Sequence, residues 1–273
     1  MFAIPFYYSR AGFLLEFYSK EVRSAMGQTN SGTIGTTAAS SYWKGLSVQT
    51  DKIQARPSIL NVSVVRATCE ERALMAPFIH STVDIDESAR VGDKTKIWSL
   101  TQVREHAVIG ESCIIGRNVF IDEGVKLGNN CKVQNNALLY AGLELEDGVF
   151  IGPAVCFTND KLPRAINPDG TLKSAEDWLV GKTLVKYGAA VGAHSVIVTG
   201  VTLGRFCLVG SGAVVTKDIP DFGIVVGNPG RLVGYACRCA TRLVVSPSDP
   251  EYYTCPNCDR SYRLLNKQLT ELS

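Results

Sequence analysis

The sequence predicts an all-β chain dominated by a solenoid of short, stacked parallel strands with one long loop inserted. Three observations predict it. A six-residue frame runs without slip over residues 79–156 and resumes over 185–220. Its first position is Ile, Val or Leu in all nineteen units, and its fifth is small or aliphatic each time, for example Ala89, Thr95, Ala107, Val119, Ala137, Ser195 and Ala213. Its fourth position is Gly at 124, 142, 148, 188, 200 and 212 and Asn at 118, 130 and 136, the residue types that tolerate positive φ. Two inward side chains and a left-handed corner make one unit, which can bury its face only against the coils on either side.

The elements follow in chain order. Residues 1–20 are aromatic and apolar, but Arg10 and Glu16 interrupt them, and neither a basic region nor a small-residue cleavage site frames a signal peptide. Residues 24–41 are rich in Ser, Thr, Gly and Ala and offer too little apolar area to offset the entropy of ordering. Residues 1–74 therefore read as a largely disordered extension with a short amphipathic helix near 11–23, and Met75 stands just before the first repeat as a plausible alternative start. Residues 75–236 form the solenoid, interrupted by a loop at 157–184 whose polar and aromatic residues a structural coil does not need. Residues 237–265 form a small cysteine-bearing module, and 266–273 a tail.

Bulk composition excludes several classes. An apolar content of 45% with 20% charge is that of a globular chain with one main domain, and a net charge of +2 gives no electrostatic case for nucleic acid. No run of 18 apolar residues is present to span a bilayer. Nine cysteines, an odd number in a chain without an export signal, point to a reducing, cytoplasmic compartment and a metal site, not a disulfide framework. Cys113, Cys131 and Cys207 fall on the fifth position of the frame and read as small buried hydrophobes.

The units IGRNVF (115–120), LGNNCK (127–132) and IGPAVC (151–156) resemble the hexapeptide-repeat acyltransferases. That resemblance implies three units per triangular coil, a left-handed parallel β-helix, against the usual right-handed crossover rule, and a homotrimer. Within the superfamily the chain is most similar to N-acetyltransferases acting on UDP- or dTDP-linked 3-amino sugars. The residues that carry this are IW at 97–98, NVFI at 118–121, KVQNNALLY at 132–140, DGVFIGPAVCFTND at 147–160 and TLVKYGAAVGA at 183–193. The resemblance implies acetyl transfer from acetyl-CoA to a nucleotide-linked amino sugar in surface-glycan synthesis. It assigns Asn159 to hold the sugar amine near the thioester, and Gln134, Asn135, Asn136, Asp160 and Arg164 to substrate binding. The stretches GSGAVVTKDIP (210–220) and VVGNPGR (225–231) resemble the coenzyme A edge, which makes Ala189, Ala213, Lys217, Asn228, Pro229 and Arg231 cofactor-binding candidates. Alternatives are an O-acetyltransferase or serine-acetyltransferase-like enzyme and, in another class, a non-catalytic solenoid scaffold.

Amide formation needs a neutral amine beside the thioester and stabilisation of an oxyanion, which positioning can largely supply. His106 and His194 both sit at the corner position and His80 lies in the first coil, so no essential histidine base is expected. Three histidines spread over many coils also argue against a histidine-bound zinc enzyme on this fold. At the C-terminus, Cys237 and Cys239 form CxC and Cys255 and Cys258 form CxxC, resembling a small zinc ribbon whose four thiolates satisfy tetrahedral zinc. Free or redox-active thiols are the alternative there.

Overall fold

The computed structural model describes residues 75–272, and the expectations for residues 1–74 fall outside them. Through the repeat region the strands are two or three residues long, with the first side chain outward and the second inward: Gln102–Val103, Val108–Ile109 and Ile114–Ile115 each read exposed then buried. The chain turns after each strand at the fourth frame position. There φ is positive not only at the glycines and asparagines but also at Lys94, Leu100, His106, Ser112 and Ala154. The corner geometry is thus imposed by stacking even where the side chain disfavours it.

Three strands and three corners make one 18-residue coil, so Ile97 lies beside Ile115, Ile115 beside Val133, and Val133 beside Ile151. Every third strand joins the same sheet, which gives a prism with faces of nine, seven and six strands. The winding is left-handed over about 8 turns. Inside, the first and fifth frame positions form continuous ladders, and Ile97, Ala107, Ile115, Cys131, Val133, Ala137, Leu139, Ile151, Val191 and Leu203 are fully buried. Cys113, Cys131 and Cys207 sit in this core, and burial pushes the Cys207 thiol up to about 12, which leaves it protonated and inert. Leu139→Ala removes one rung between Ile121 and Phe157. The rigid coils cannot collapse into that space, so urea unfolding is expected to show a loss of about 2–5 kcal/mol.

The loop is shorter than the sequence frame placed it. Phe157 continues the ladder, being 1% exposed and paired with Ile197, and Thr183 opens the next strand, Thr183–Val185. The excursion therefore covers residues 158–182. The frame missed Phe157 because an aromatic ring stands where only Ile, Val or Leu had appeared.

After the last repeat, strand Gly223–Val226 pairs in parallel with the solenoid, then turns back to pair antiparallel with Arg231–Tyr235. Beyond lies a four-stranded antiparallel sheet of Val244–Ser246, Asp249–Thr254, Ser261–Leu265 and Gln268–Glu271. The expected tail beyond residue 265 supplies the fourth of these strands, and its Leu269 is buried against Tyr262 and Cys255 in a second core. Among the described residues, no helix is long and apolar enough to cross a membrane.

Candidate functional site

The loop leaves the seven-stranded face after Cys156–Phe157 and rejoins the six-stranded face at Thr183–Val185, so it stands over one corner of the prism. Its stem is closed by the Gly181 N–H, which donates to the Asn159 carbonyl at 2.9 Å, and by the Thr199 N–H, which donates to Thr158 Oγ1 at 3.1 Å. Two glycines permit this closure. A Cβ on Gly142, whose φ is +86°, would lie 2.3 Å from the Gly181 carbonyl oxygen, and a Cβ on Gly181 would lie 2.1 Å from Thr199 Oγ1. The outer part is a small hairpin bridged between Ile166 and Leu172, followed by the single turn Ala175–Asp177. Ser174 caps that turn in a reciprocal box with Asp177, and its N–H, the largest cause, holds the Asp177 carboxyl below the usual range.

Between stem and hairpin lies an open cleft of about 730 Å³ that brings together Asn159, Asp160, Arg164, Lys173 and Trp178. Three of the residues expected from sequence meet here. Asn159 and Asp160 are half-buried and Arg164 is exposed, a mixture of polar groups and a cation suited to a charged, hydrophilic ligand. Lys173 and Trp178 were not singled out from sequence, although both lie within the polar and aromatic stretch that marked the loop as functional. A second opening of about 370 Å³ shares Asp160, Lys173 and Trp178 and runs under Leu179 and Val180 to Gly200.

Other expected residues are placed differently. Asn135 Oδ1 accepts the Arg117 N–H at 2.8 Å, and Asn136, at φ 62°, accepts from Asn118 Nδ2 at 3.0 Å. Both side-chain oxygens link one coil to the next, and both residues are exposed, with their Nδ2 amides outside those two bonds. Gln134 is half-buried on the same rung. Ala189 and Ala213 are 0% exposed, with side chains in the core and N–H groups donating to the Lys186 and Gly210 carbonyls. Lys217, Asn228, Pro229 and Arg231 are exposed, the last three on the hairpin that follows strand Gly223–Val226. His106 and His194 occupy positive-φ corners, at 59° and 58°, as the frame implied.

One column was missed altogether. Reading every eighteenth residue stacks Asp86, Arg104, Asp122, Tyr140 and Thr158 on the face that leads to the loop. Asp122, 6% exposed, accepts from Arg104 Nη1 at 3.0 Å, the Glu123 N–H at 2.9 Å and the Ala141 N–H at 3.1 Å. These three donors fix the carboxylate in place, and it pins the turn that leads into Gly142.

At the C-terminus the four cysteines converge. The sulfur atoms of Cys237, Cys239, Cys255 and Cys258 all lie within 4.8 Å of one another, with Cys237–Cys258 at 3.4 Å, Cys239–Cys255 at 3.5 Å and Cys239–Cys258 at 3.6 Å. Tetrahedral thiolate coordination with metal–sulfur bonds of about 2.3 Å sets sulfurs roughly 3.8 Å apart, so the cluster can hold a metal ion. Arg260 Nη1 lies 3.1 Å from Cys258 Sγ, and a second cation, Arg238, follows Cys237 directly in the chain. Arg260 would offset part of the excess negative charge that four thiolates leave on a divalent ion, whereas the Arg238 guanidinium lies over Phe206 and pairs with Glu271.

The repeat frame and the three-faced prism are those of a hexapeptide-repeat β-solenoid. Residues 106–141 and 188–217 match the hexapeptide repeat of succinyl-transferase, and residues 88–123 match the bacterial transferase hexapeptide of six repeats. Among curated proteins, the chain is 52% identical over 63 residues to a dTDP-3-amino-3,6-dideoxy-alpha-D-galactopyranose 3-N-acetyltransferase of Aneurinibacillus thermoaerophilus. That match covers 23% of this chain and 33% of the relative, so the chain spans about a third of the curated protein it resembles. Among solved structures, the acetyltransferase domain of PglB from Neisseria gonorrhoeae FA1090 overlaps at 19% identity over 63% of this chain and 67% of that one, with a TM-score of 0.40. PerB from Caulobacter crescentus, solved with CoA and GDP-perosamine, overlaps at 20% identity over 63% and 66%, with a TM-score of 0.34.

Proposed function

We propose that the protein is an N-acetyltransferase that moves acetyl from acetyl-CoA to the amino group of a nucleotide-linked amino sugar of the UDP- or dTDP-3-amino type, acting as a homotrimer in the cytoplasm. The observation that carries the reading is the loop cleft. It sets Asn159, Asp160 and Arg164 around one opening beside a hexapeptide solenoid whose sequence matches a 3-N-acetyltransferase at 52% over 63 residues. Asn159 orients the amine, and Arg164 and Lys173 offer cations to the diphosphate. Lys217, Asn228 and Arg231 receive the phosphates of the donor.

In the reaction the amine nitrogen attacks the thioester carbonyl, the carbon–sulfur bond breaks, and the amine proton leaves with the thiolate as CoA thiol. Positioning of a neutral amine carries most of the acceleration. His106→Ala and His194→Ala are each expected to keep turnover within about threefold of wild type, since removal of a general base would cost on the order of 100-fold or more. The four-thiol cluster is read as holding one structural zinc. Incubation with acetyl-CoA and a panel of UDP- and dTDP-linked amino sugars, followed by thiol release, tests the activity. No turnover on any amino sugar, together with no heat on titrating CoA, would leave the solenoid a scaffold.

A further inference from the structure

The C-terminal module shares its core with the last coil of the prism. Phe206 and Phe222 occupy successive corners at positive φ, 52° and 63°, where a bulky side chain is disfavoured. Their rings stack at 5.7 Å and 13°, Tyr187 meets Phe206 edge-on at 5.3 Å, and Tyr262 of the antiparallel sheet closes on Phe222 at 5.3 Å. The Phe206 ring lies across Gly188, where a Cβ would be 2.5 Å away, and the Arg238 guanidinium covers Phe206 at 4.9 Å. This column ends on the thiols: Tyr262, fully buried, has its hydroxyl 3.1 Å from Cys237 Sγ and accepts the Arg238 N–H at 3.3 Å. Strand Arg231–Tyr235 starts at a cofactor-binding candidate and ends two residues before Cys237.

We propose that the four thiols bind one thiophilic divalent ion that acts as a lock, fastening the antiparallel sheet as an end cap over the last coil and thereby fixing the hairpin that carries Asn228 and Arg231. A solenoid end exposes its core and unpaired strand edges unless something covers it. Here Leu243, Tyr262 and Leu269 of the four-stranded module pack with Phe222 and Tyr235 of the solenoid's end around two of the sulfur ligands, Cys237 and Cys255. So small a core is held together mainly by its ion. Without the ion, Cys237 loses its partners across the sheet, Tyr262 loses its anchor, and the aromatic column opens from its outer end. The capping role stands on geometry alone; the effect on Asn228 and Arg231 rests on the acetyltransferase reading.

The full chain, loaded with Zn²⁺ and then stripped with a high-affinity chelator, tests this by hydrogen–deuterium exchange. One ion per chain is expected, with exchange in residues 204–236 at least tenfold faster after stripping, unchanged in residues 97–139, and restored by added Zn²⁺ or Co²⁺. No stoichiometric ion, or unchanged exchange in 204–236, overturns the cap whatever the enzyme does. Tyr262→Phe keeps the ring and the fold while removing the hydroxyl beside Cys237, and it is expected to raise exchange in the same segment with the ion still bound; unaltered exchange removes Tyr262 from the lock. In the acetyl-transfer assay the stripped protein should show a KM for acetyl-CoA raised at least fivefold with kcat less affected. Faster exchange with an unchanged KM would retain the cap and refute its link to the cofactor edge.

Discussion

Gly181→Ala is expected to lower turnover on the order of 100-fold, the scale of loss that accompanies a misplacement of about 1 Å at a reacting centre. The added methyl group would sit 2.1 Å from Thr199 Oγ1 and 2.8 Å from its Cγ2. Thr199 is 1% exposed beneath the loop stem, and its N–H is tied to Thr158 Oγ1, so its backbone cannot yield freely. The stem must shift instead, breaking the bond from the Gly181 N–H to the Asn159 carbonyl that holds the start of the loop. Gly170→Ala is the matched control. Unlike Gly181, that glycine has positive φ, at +87°, but nothing lies within 4 Å of its would-be Cβ and it sits at the hairpin tip. Its variant bears about 1 kcal/mol of backbone strain without moving the stem, and turnover should stay within a few-fold of wild type. Equal activity in the two variants would dissociate the stem from the chemistry.

Asn159→Ala should cut turnover by more than about tenfold, with CoA affinity by calorimetry unchanged, because the substitution removes an interaction made by the reacting amine and none made by the donor. The backbone contribution of Asn159 to the stem survives in this variant, since its carbonyl and not its side chain accepts from Gly181. Stability should therefore be preserved, which separates a loss of chemistry from a loss of structure. Wild-type turnover would take Asn159 out of the site.

The prism was legible residue by residue because stacking repeats one set of demands every six positions: an aliphatic inside, a small side chain inside, a residue that accepts positive φ outside. What escaped was anything outside that period. Phe157 was passed over because it meets the demand for an apolar interior side chain with an unusual residue, and the loop boundaries moved accordingly. Asn135 and Asn136 stood out in a linear motif as substrate contacts, and a linear motif does not show their pairing with residues eighteen positions earlier, which also links the coils. Ala189 and Ala213 were singled out by resemblance to a coenzyme A edge, and their side chains also fill the core. The cleft itself was only half legible. Asn159, Asp160 and Arg164 stood out, but Lys173 and Trp178 come from the far limb of the hairpin, and only its folding back brings them across. The four thiols were readable because a metal needs ligands in fixed local pairs, and spacing records that directly.

The exchange of partners every eighteen residues gives the molecule a ruler. Adding or removing one whole coil on the N-terminal side of residue 97 would change the length of the prism by about 4.8 Å while leaving each neighbour relation around the loop intact. Adding one residue within a strand would turn the interior side chain that follows it there out to solvent. Natural length variation in such a chain is thus confined to steps of a full turn or to the corners, which is where the one large excursion, residues 158–182, is found.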